Sequence, residues 1–329
     1  MKKLVRVAAI LAAWGCGLGT GIGIVAAQQA APAGPGGGAG KAAAVAADGA
    51  VAKAGETPAA VNPAWWQVKG VHGTVYLLGS VHVMKPNVQW ESPRLKAALD
   101  ASDELYLEIA NADDSAAMAP LALQFGMDMD HPLSSKLSKD DVALLDTVAK
   151  GIGLPGEAML EPMQPWFVSA TLEMVPMLKD GYDPASGIDL KLLAESKREQ
   201  KRILGFETMS DQLHMMADVP QAEQVTMLHE QLTELDKSAA DMNELVAAWE
   251  RGDVEKIAGI DNRELAVKHP AEYKRMVVDR NTRWAATLDS VLKDPSTGTV
   301  FVVVGAGHLA GPDSVLKMLE KDGWKIQRE

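Results

Sequence analysis

The residues best equipped for chemistry are two histidines that close similar apolar runs towards opposite ends of the chain. Gly73-Thr74-Val75-Tyr76-Leu77-Leu78-Gly79-Ser80-Val81 leads into His82, and Gly298-Thr299-Val300-Phe301-Val302-Val303-Val304-Gly305-Ala306-Gly307 leads into His308. Both runs open on Thr-Val-aromatic and close on Gly-x-x-His. Two further apolar runs carry carboxylates at or near their ends, Glu108 after Leu105-Tyr106-Leu107 and Glu207 after Ile203-Leu204-Gly205-Phe206. A carboxylate in such a run is costly unless it is paired, protonated or bound to a metal. Two imidazoles with one or two carboxylates suit a divalent ion of the Mn, Co, Fe or Zn kind, which activates bound water for hydrolysis. Without an ion, the same groups make a His–Glu acid/base pair. The plainer alternative is two ordinary strand ends with locally bonded histidines, and a Glu108 that alternates out to solvent.

The four groups meet only if their runs are strands of one sheet. Runs rich in β-branched and aromatic residues fit strands buried on both faces. In open α/β sheets, ligands gather at the C-terminal ends of such strands. Trp65 to Lys69 and Thr74 to Leu78 flank a short loop and read as a hairpin. Ser92-Pro93-Arg94 starts a helix to about Ala101, with Ser as cap and Pro at its first position. Helices follow over residues 140–150 and 161–179, separated by a Gly/Pro-rich break. Ser186-Gly187-Ile188-Asp189 opens a helix to about Glu199, and a strand over 201–207 completes a βαβ pattern. Residues 208 to about 293 show apolar residues at helical spacing, broken near Pro220, Gly252 and Pro270. A last helix over 313–321 and an edge strand near 323–326 end the chain. The expected class is α/β, a central mixed sheet with flanking helices and a largely helical insertion.

Other polar residues take lesser roles in this reading. His72 sits in the hairpin turn, His131 in a loop, and His214 and His229 within apolar helical stripes. Pro165-Trp166-Phe167 sets a ring either against a cleft or in the core. Arg280-Asn281 either lies on a solvated helix face or brings a guanidinium and an amide to the cleft, to hold a carboxylate or a developing oxyanion.

The N-terminus indicates a destination outside the cytoplasm. Met1-Lys2-Lys3-Leu4-Val5-Arg6 is basic, residues 7–27 carry no charge, and Val25-Ala26-Ala27 offers a cleavage site before Gln28. Residues 1–27 are expected to be a signal peptide, giving a periplasmic or secreted product. The same stretch is long enough to stay as an inner-membrane anchor with the domain outside. Residues 28–62 are an Ala/Gly/Pro-rich tether, and the folded domain spans 63–329. Cys16 is the only cysteine, so cleavage leaves no thiol or disulfide chemistry. A formal charge of -12 opposes binding to phosphate backbones, which excludes nucleic acid as the expected partner. There is no His-Glu-x-x-His, nucleophile elbow or phosphate loop, and Gly305-x-Gly307 lacks the third glycine of a dinucleotide site.

Gly79-Ser80-Val81-His82, Gly305-Ala306-Gly307-His308 and Glu108 together resemble the marks of the TraB/GumN family (TraB/PrgY/GumN), which includes pheromone-shutdown and Wnt-inactivating Tiki proteins. Gly187-Ile188-Asp189, Gly205-Phe206-Glu207-Thr208 with Gln212, and Arg280-Asn281 extend the resemblance across residues 63 to 328. After His308 the chain departs from it, with Leu309-Ala310-Gly311-Pro312-Asp313-Ser314 where the family continues Leu-x-Gly-x-x-Gly. The resemblance implies a fold like that of the ChaN and erythromycin-esterase group. It also implies a metal-dependent hydrolase, with a metalloprotease as one form, acting on a peptide or small molecule. His82, Glu108 and His308 would hold the metal. Glu207 would be a further ligand or general base, with Arg280 and Asn281 positioning substrate. The competing readings are a non-catalytic metal- or haem-associated binding protein and an accessory protein of envelope or polysaccharide assembly.

Overall fold

A computed structural model describes residues 61–329. The expected signal peptide or anchor, and all but the end of the tether, lie outside the described residues. Among the described residues, no helix is long and apolar enough to cross a membrane.

The chain builds a six-stranded mixed sheet with helices on both faces. Its strands are β1 (Trp65–Lys69), β2 (Thr74–Ser80), β3 (Glu104–Ile109), β4 (Arg202–Glu207), β5 (Thr299–Gly305) and β6 (Ile326–Arg328). They lie in the order β4-β3-β5-β2-β1-β6. The pairs β4–β3, β3–β5 and β5–β2 are parallel, whereas β1 and β6 extend the sheet antiparallel. The strands that carry Glu207 and Glu108, and those that precede His308 and His82, are therefore neighbours, and all four point the same way. β2 and β5 pair in register from Thr74 with Thr299 to Ser80 with Gly305.

The flanking helices follow from local signals. Pro93–Asp100 (α1) has Pro at its first turn, and the Ser92 side chain accepts the Leu95 amide. Ser115–Gly126 (α2) is an element that the sequence reading did not anticipate. Its apolar residues do not sort onto one face, and Pro120 interrupts the pattern. Lys139–Gly151 (α3) agrees with expectation. Pro165–Lys179 (α4) starts later than expected because Pro165 favours the first helical turn. Its Trp166 and Phe167 rings join the core. Ile188–Arg198 (α5) precedes β4, and a Thr208–Asp211 capping box starts Met209–Ala217 (α6).

Helices then fill the span to β5: Gln221–Glu250 (α7), Val254–Asp261 (α8), Arg263–Lys268 (α9), Pro270–Tyr273 (α10) and Asp279–Lys293 (α11). A π-helical turn, Lys274–Val278, joins α10 to α11. The terminal helix Val315–Lys321 (α12) is shorter than expected, and the edge strand sits a few residues later than its sequence signal.

One apolar layer packs Leu78, Leu105, Leu107, Phe301 and Val303 against α1, α4, α5 and α7. The opposite face packs Val75, Leu77, Val300, Val302 and Val304 against α11 and α12. In the first layer, Trp249 of α7 is 1% exposed, and its indole nitrogen donates to the Gly79 carbonyl at 2.6 Å. This bond ties the long helix to the strand end just before His82. Replacing Trp249 with Phe removes that donor and much buried ring. The expected loss is about 2–4 kcal/mol of unfolding free energy, read from urea melts.

Candidate active site

The buried polar centre sits where the parallel strands end. Glu108 lies near the end of β3, on the sheet face packed by α11, and Glu207 is the last residue of β4. His308 lies in a single helical turn, Ala306–Leu309, directly after β5. His82 follows β2 by two residues. The two turns touch, because a Cβ on Gly79 would lie 2.9 Å from the Ala306 Cα. Gly305 keeps the centre open. A Cβ there would stand 3.2 Å from Glu108 Oε1, 3.2 Å from His82 Nε2 and 3.6 Å from His308 Cδ2. Both histidines and Glu108 therefore surround one point.

Arg280 of α11 fills the middle. It is 2% exposed. Its Nε donates to Glu207 Oε1 and Oε2 at 3.1 and 3.0 Å, and its Nη2 donates to Glu108 Oε2 at 2.6 Å. Its Nη1 meets His308 Nε2 at 2.9 Å and the Met276 carbonyl at 3.3 Å. The guanidinium also lies 4.6 Å from the Trp284 ring centre, one helical turn along α11. Gln212 of α6 donates to Glu108 Oε2 at 3.0 Å, and Arg283 reaches Glu207 Oε1 at 3.2 Å from the exposed side.

The twin histidines end in opposite charge states. His308 Nδ1 lies 2.6 Å from Asn281 Oδ1, while the Asn281 amide nitrogen donates to the Asp313 carbonyl. That orientation makes Nδ1 the donor and leaves Nε2 to accept from Arg280. Burial, with the Arg280 charge beside it, drives the His308 pKa down to about 3, so the ring is neutral. His82 has Asp189, in the first turn of α5, at its Nδ1. The 3.2 Å separation makes an ion pair, although the alignment falls short of a hydrogen bond. Burial pulls the His82 pKa down, but Asp189 and then Glu108 outweigh it and hold the pKa at about 9. The amide of Ile188 donates to the Val81 carbonyl at 3.0 Å, which fixes α5 against this turn. Glu108 stays ionised. Burial alone would raise its pKa, but Arg280, His308, His82 and the Gly305 amide hold it well below the usual carboxylate range.

The TraB/PrgY/gumN family matches residues 64–328, nearly the whole described chain. The chain belongs to this family. An uncharacterized protein of Treponema pallidum (strain Nichols) is 24% identical over 276 residues, covering 78% of this chain and 80% of that protein. No solved structure matches. The likeness to the ChaN and erythromycin-esterase group therefore rests on the family resemblance alone.

For this TraB/PrgY/gumN chain, the donor atoms expected to ligate a metal do not fit one in this arrangement. His308 engages both ring nitrogens, Glu108 engages both oxygens, and the Arg280 guanidinium stands among them. A second cation there would meet that charge directly. Among the described residues, the group whose ligand atoms all lie within 4.8 Å of one another is Asp100 at the end of α1, Glu195 on α5 and Glu199 just after it, and it could hold a metal. It contains neither histidine. Lys96 pairs with all three carboxylates, and an all-oxygen set suits Mg, Ca or Mn better than Zn.

Arg280 and Asn281, expected to position substrate, are both buried. The first is tied to protein on every side, and the second is 0% exposed, so both brace the centre rather than line its mouth. Asp189 and Gln212 belong to the centre but were not among the expected site residues. Their motif positions carried the only signal. His214 pairs with Asp218, and His229 with Asp141, both outside this centre.

Removing the central charge takes from Glu108 and Glu207 the buried partner they share, leaving only His82 and the more exposed Arg283 to balance them. Arg280→Met is expected to cost about 3–5 kcal/mol near neutral pH. The deficit should narrow on acidification, since protonating Glu108 removes charge that Arg280 balanced. Paired urea melts near pH 7 and pH 4.5 check this, and an unchanged deficit would contradict the bracing role.

Proposed function

We propose that the chain is a hydrolase that uses the acid–base pair His82–Glu108, without a metal in this centre, to cleave an amide or ester. The observation that carries the reading is the pairing of a charged imidazole with an ionised carboxylate beside the one position in the centre that lacks a side chain. His82 Nε2 and Glu108 Oε1 stand 3.8 Å apart, and Gly305 leaves a small space flanking both, where a methyl carbon would already be tight at 3.2 Å from each. The His82 and Glu108 side chains each keep 10% exposure, so the pair lies at the edge of the buried centre.

The chemistry follows from where the protons sit. His82 carries a proton on Nε2 at neutral pH and delivers it to the leaving nitrogen or oxygen. Glu108 Oε1 takes a proton from the attacking water. The protonated Glu108 then returns that proton to the neutral imidazole, which restores both groups. Asp189 steadies the imidazolium, as the buried acid of a catalytic triad does. Arg280 and Gln212 fix the Glu108 carboxylate in place. Export as a periplasmic or secreted protein is part of the same reading and is supported by the basic, then apolar, N-terminus.

A panel of peptides and simple esters, assayed with the full-length protein, tests the proposal. Turnover is expected to survive chelator treatment and to fall about 100-fold or more in His82→Gln. It should fall similarly in Gly305→Ala, whose methyl group occupies that space. Because the acid form of His82 is required, the rate should hold through neutral pH and decline as pH rises through about 9. Turnover lost to chelation and restored by a divalent metal would favour the metal-dependent reading. Turnover indifferent to His82→Gln would overturn the assignment.

A further inference from the structure

Beside the buried centre lies an open cleft of about 540 Å3, lined by Phe206, Glu207, Asp211, His214, Met215, Asp218, Arg275 and Arg283. This volume is within the range of small-ligand sites. Glu207 is common to the cleft and the centre, so anything bound here lies against the strand ends where the proposed chemistry takes place. Most charged groups on its wall are already matched. Asp211 caps α6 through Thr208, Asp218 pairs with His214, and Arg283 pairs with Glu207.

Arg275 is different. Its Nε and Nη2 are closed off from solvent, and neither has a hydrogen-bond partner among the described residues. Its neighbour Lys274 is paired with Asp279, and Arg280 is fully engaged in the centre. The π-helical turn Lys274–Val278 carries Arg275, and such turns recur at functional sites. A guanidinium with unmet donors is costly to bury, and an acceptor with a matching fork geometry would relieve it.

We propose that this cleft is a binding site for a carboxylate group, held by Arg275 with Arg283 beside it. A singly charged group suits the site better than a phosphate. Glu207, Asp211 and Asp218 share the wall and would repel a second negative charge. The substrate class that follows is an acid, such as a peptide presenting its free C-terminus. This deepens the hydrolase reading and rests on it only for what happens after binding.

Calorimetric titration of the full-length protein with N-acetyl-tetraalanine, its C-terminal amide and inorganic phosphate tests the site without any need for turnover. The free acid is expected to bind at least about tenfold more tightly than the amide, and more tightly than phosphate. Arg275→Gln should remove the preference for the acid while leaving the thermal midpoint close to that of the wild type. Equal binding of acid and amide by the wild type would overturn the proposal. So would a preference that survives Arg275→Gln, or tighter binding of phosphate. These outcomes are separate from the hydrolysis assay, so a carboxylate site in an inactive protein and an active enzyme without such a site give different results.

Discussion

A single buried guanidinium holds the strand ends together. Arg280 touches the last residue of β4, the carboxylate of β3, the histidine after β5 and a carbonyl of the turn that precedes its own helix. Without it, Glu108 and Glu207 would bring two like charges into an interior that opposes even one. With it, polar groups can be packed at the edge of an apolar sheet and held in fixed positions. The surrounding residues follow from that placement. Trp284 underlies the guanidinium and the His308 ring, Asn281 orients that ring from the next position in α11, and Gly305 leaves the space into which Glu108 and His82 project.

The two Gly-x-x-His motifs look equivalent in sequence and are opposites in structure. What separates them is the charge beside each ring. Asp189 outweighs burial and holds the imidazole of His82 charged, whereas burial with the Arg280 guanidinium at Nε2 keeps His308 neutral. One motif therefore stores a proton and the other supplies a lone pair to the brace. Two similar strand ends have been given unlike tasks by residues that come from different helices.

The strands were legible because buried β-branched runs leave little alternative, and their polar endings stood out against them. The convergence of Glu108, Glu207, His82 and His308 followed from parallel pairing. The way these groups bond was not legible. A cluster of imidazoles and carboxylates can be balanced by a metal ion or by a guanidinium, and residue types alone do not distinguish the two. Arg280 was visible as a candidate, but its direction from the helix decides between the mouth and the interior, and that depends on the packing of α11. Asp189 and Gln212 depend on how α5 and α6 dock. Arg275 depends on a π-helical turn that has no clear signature in the local residues. The helix α2 was hidden by an apolar pattern that favours no face.

The position of β5 has a consequence for how the molecule comes into being. The last long strand to be synthesised occupies the middle of the sheet, between β3 and β2. A nascent chain that has not reached Thr299 holds at most two separate ribbons, β1–β2 and β3–β4, each with a bare edge meant for β5. Contacts of such high order form late and slowly, and exposed edges invite pairing with other chains. Delivery of the C-terminal segment is thus the event that joins two ribbons with bare edges into one continuous sheet, and the polar centre is assembled in the same event.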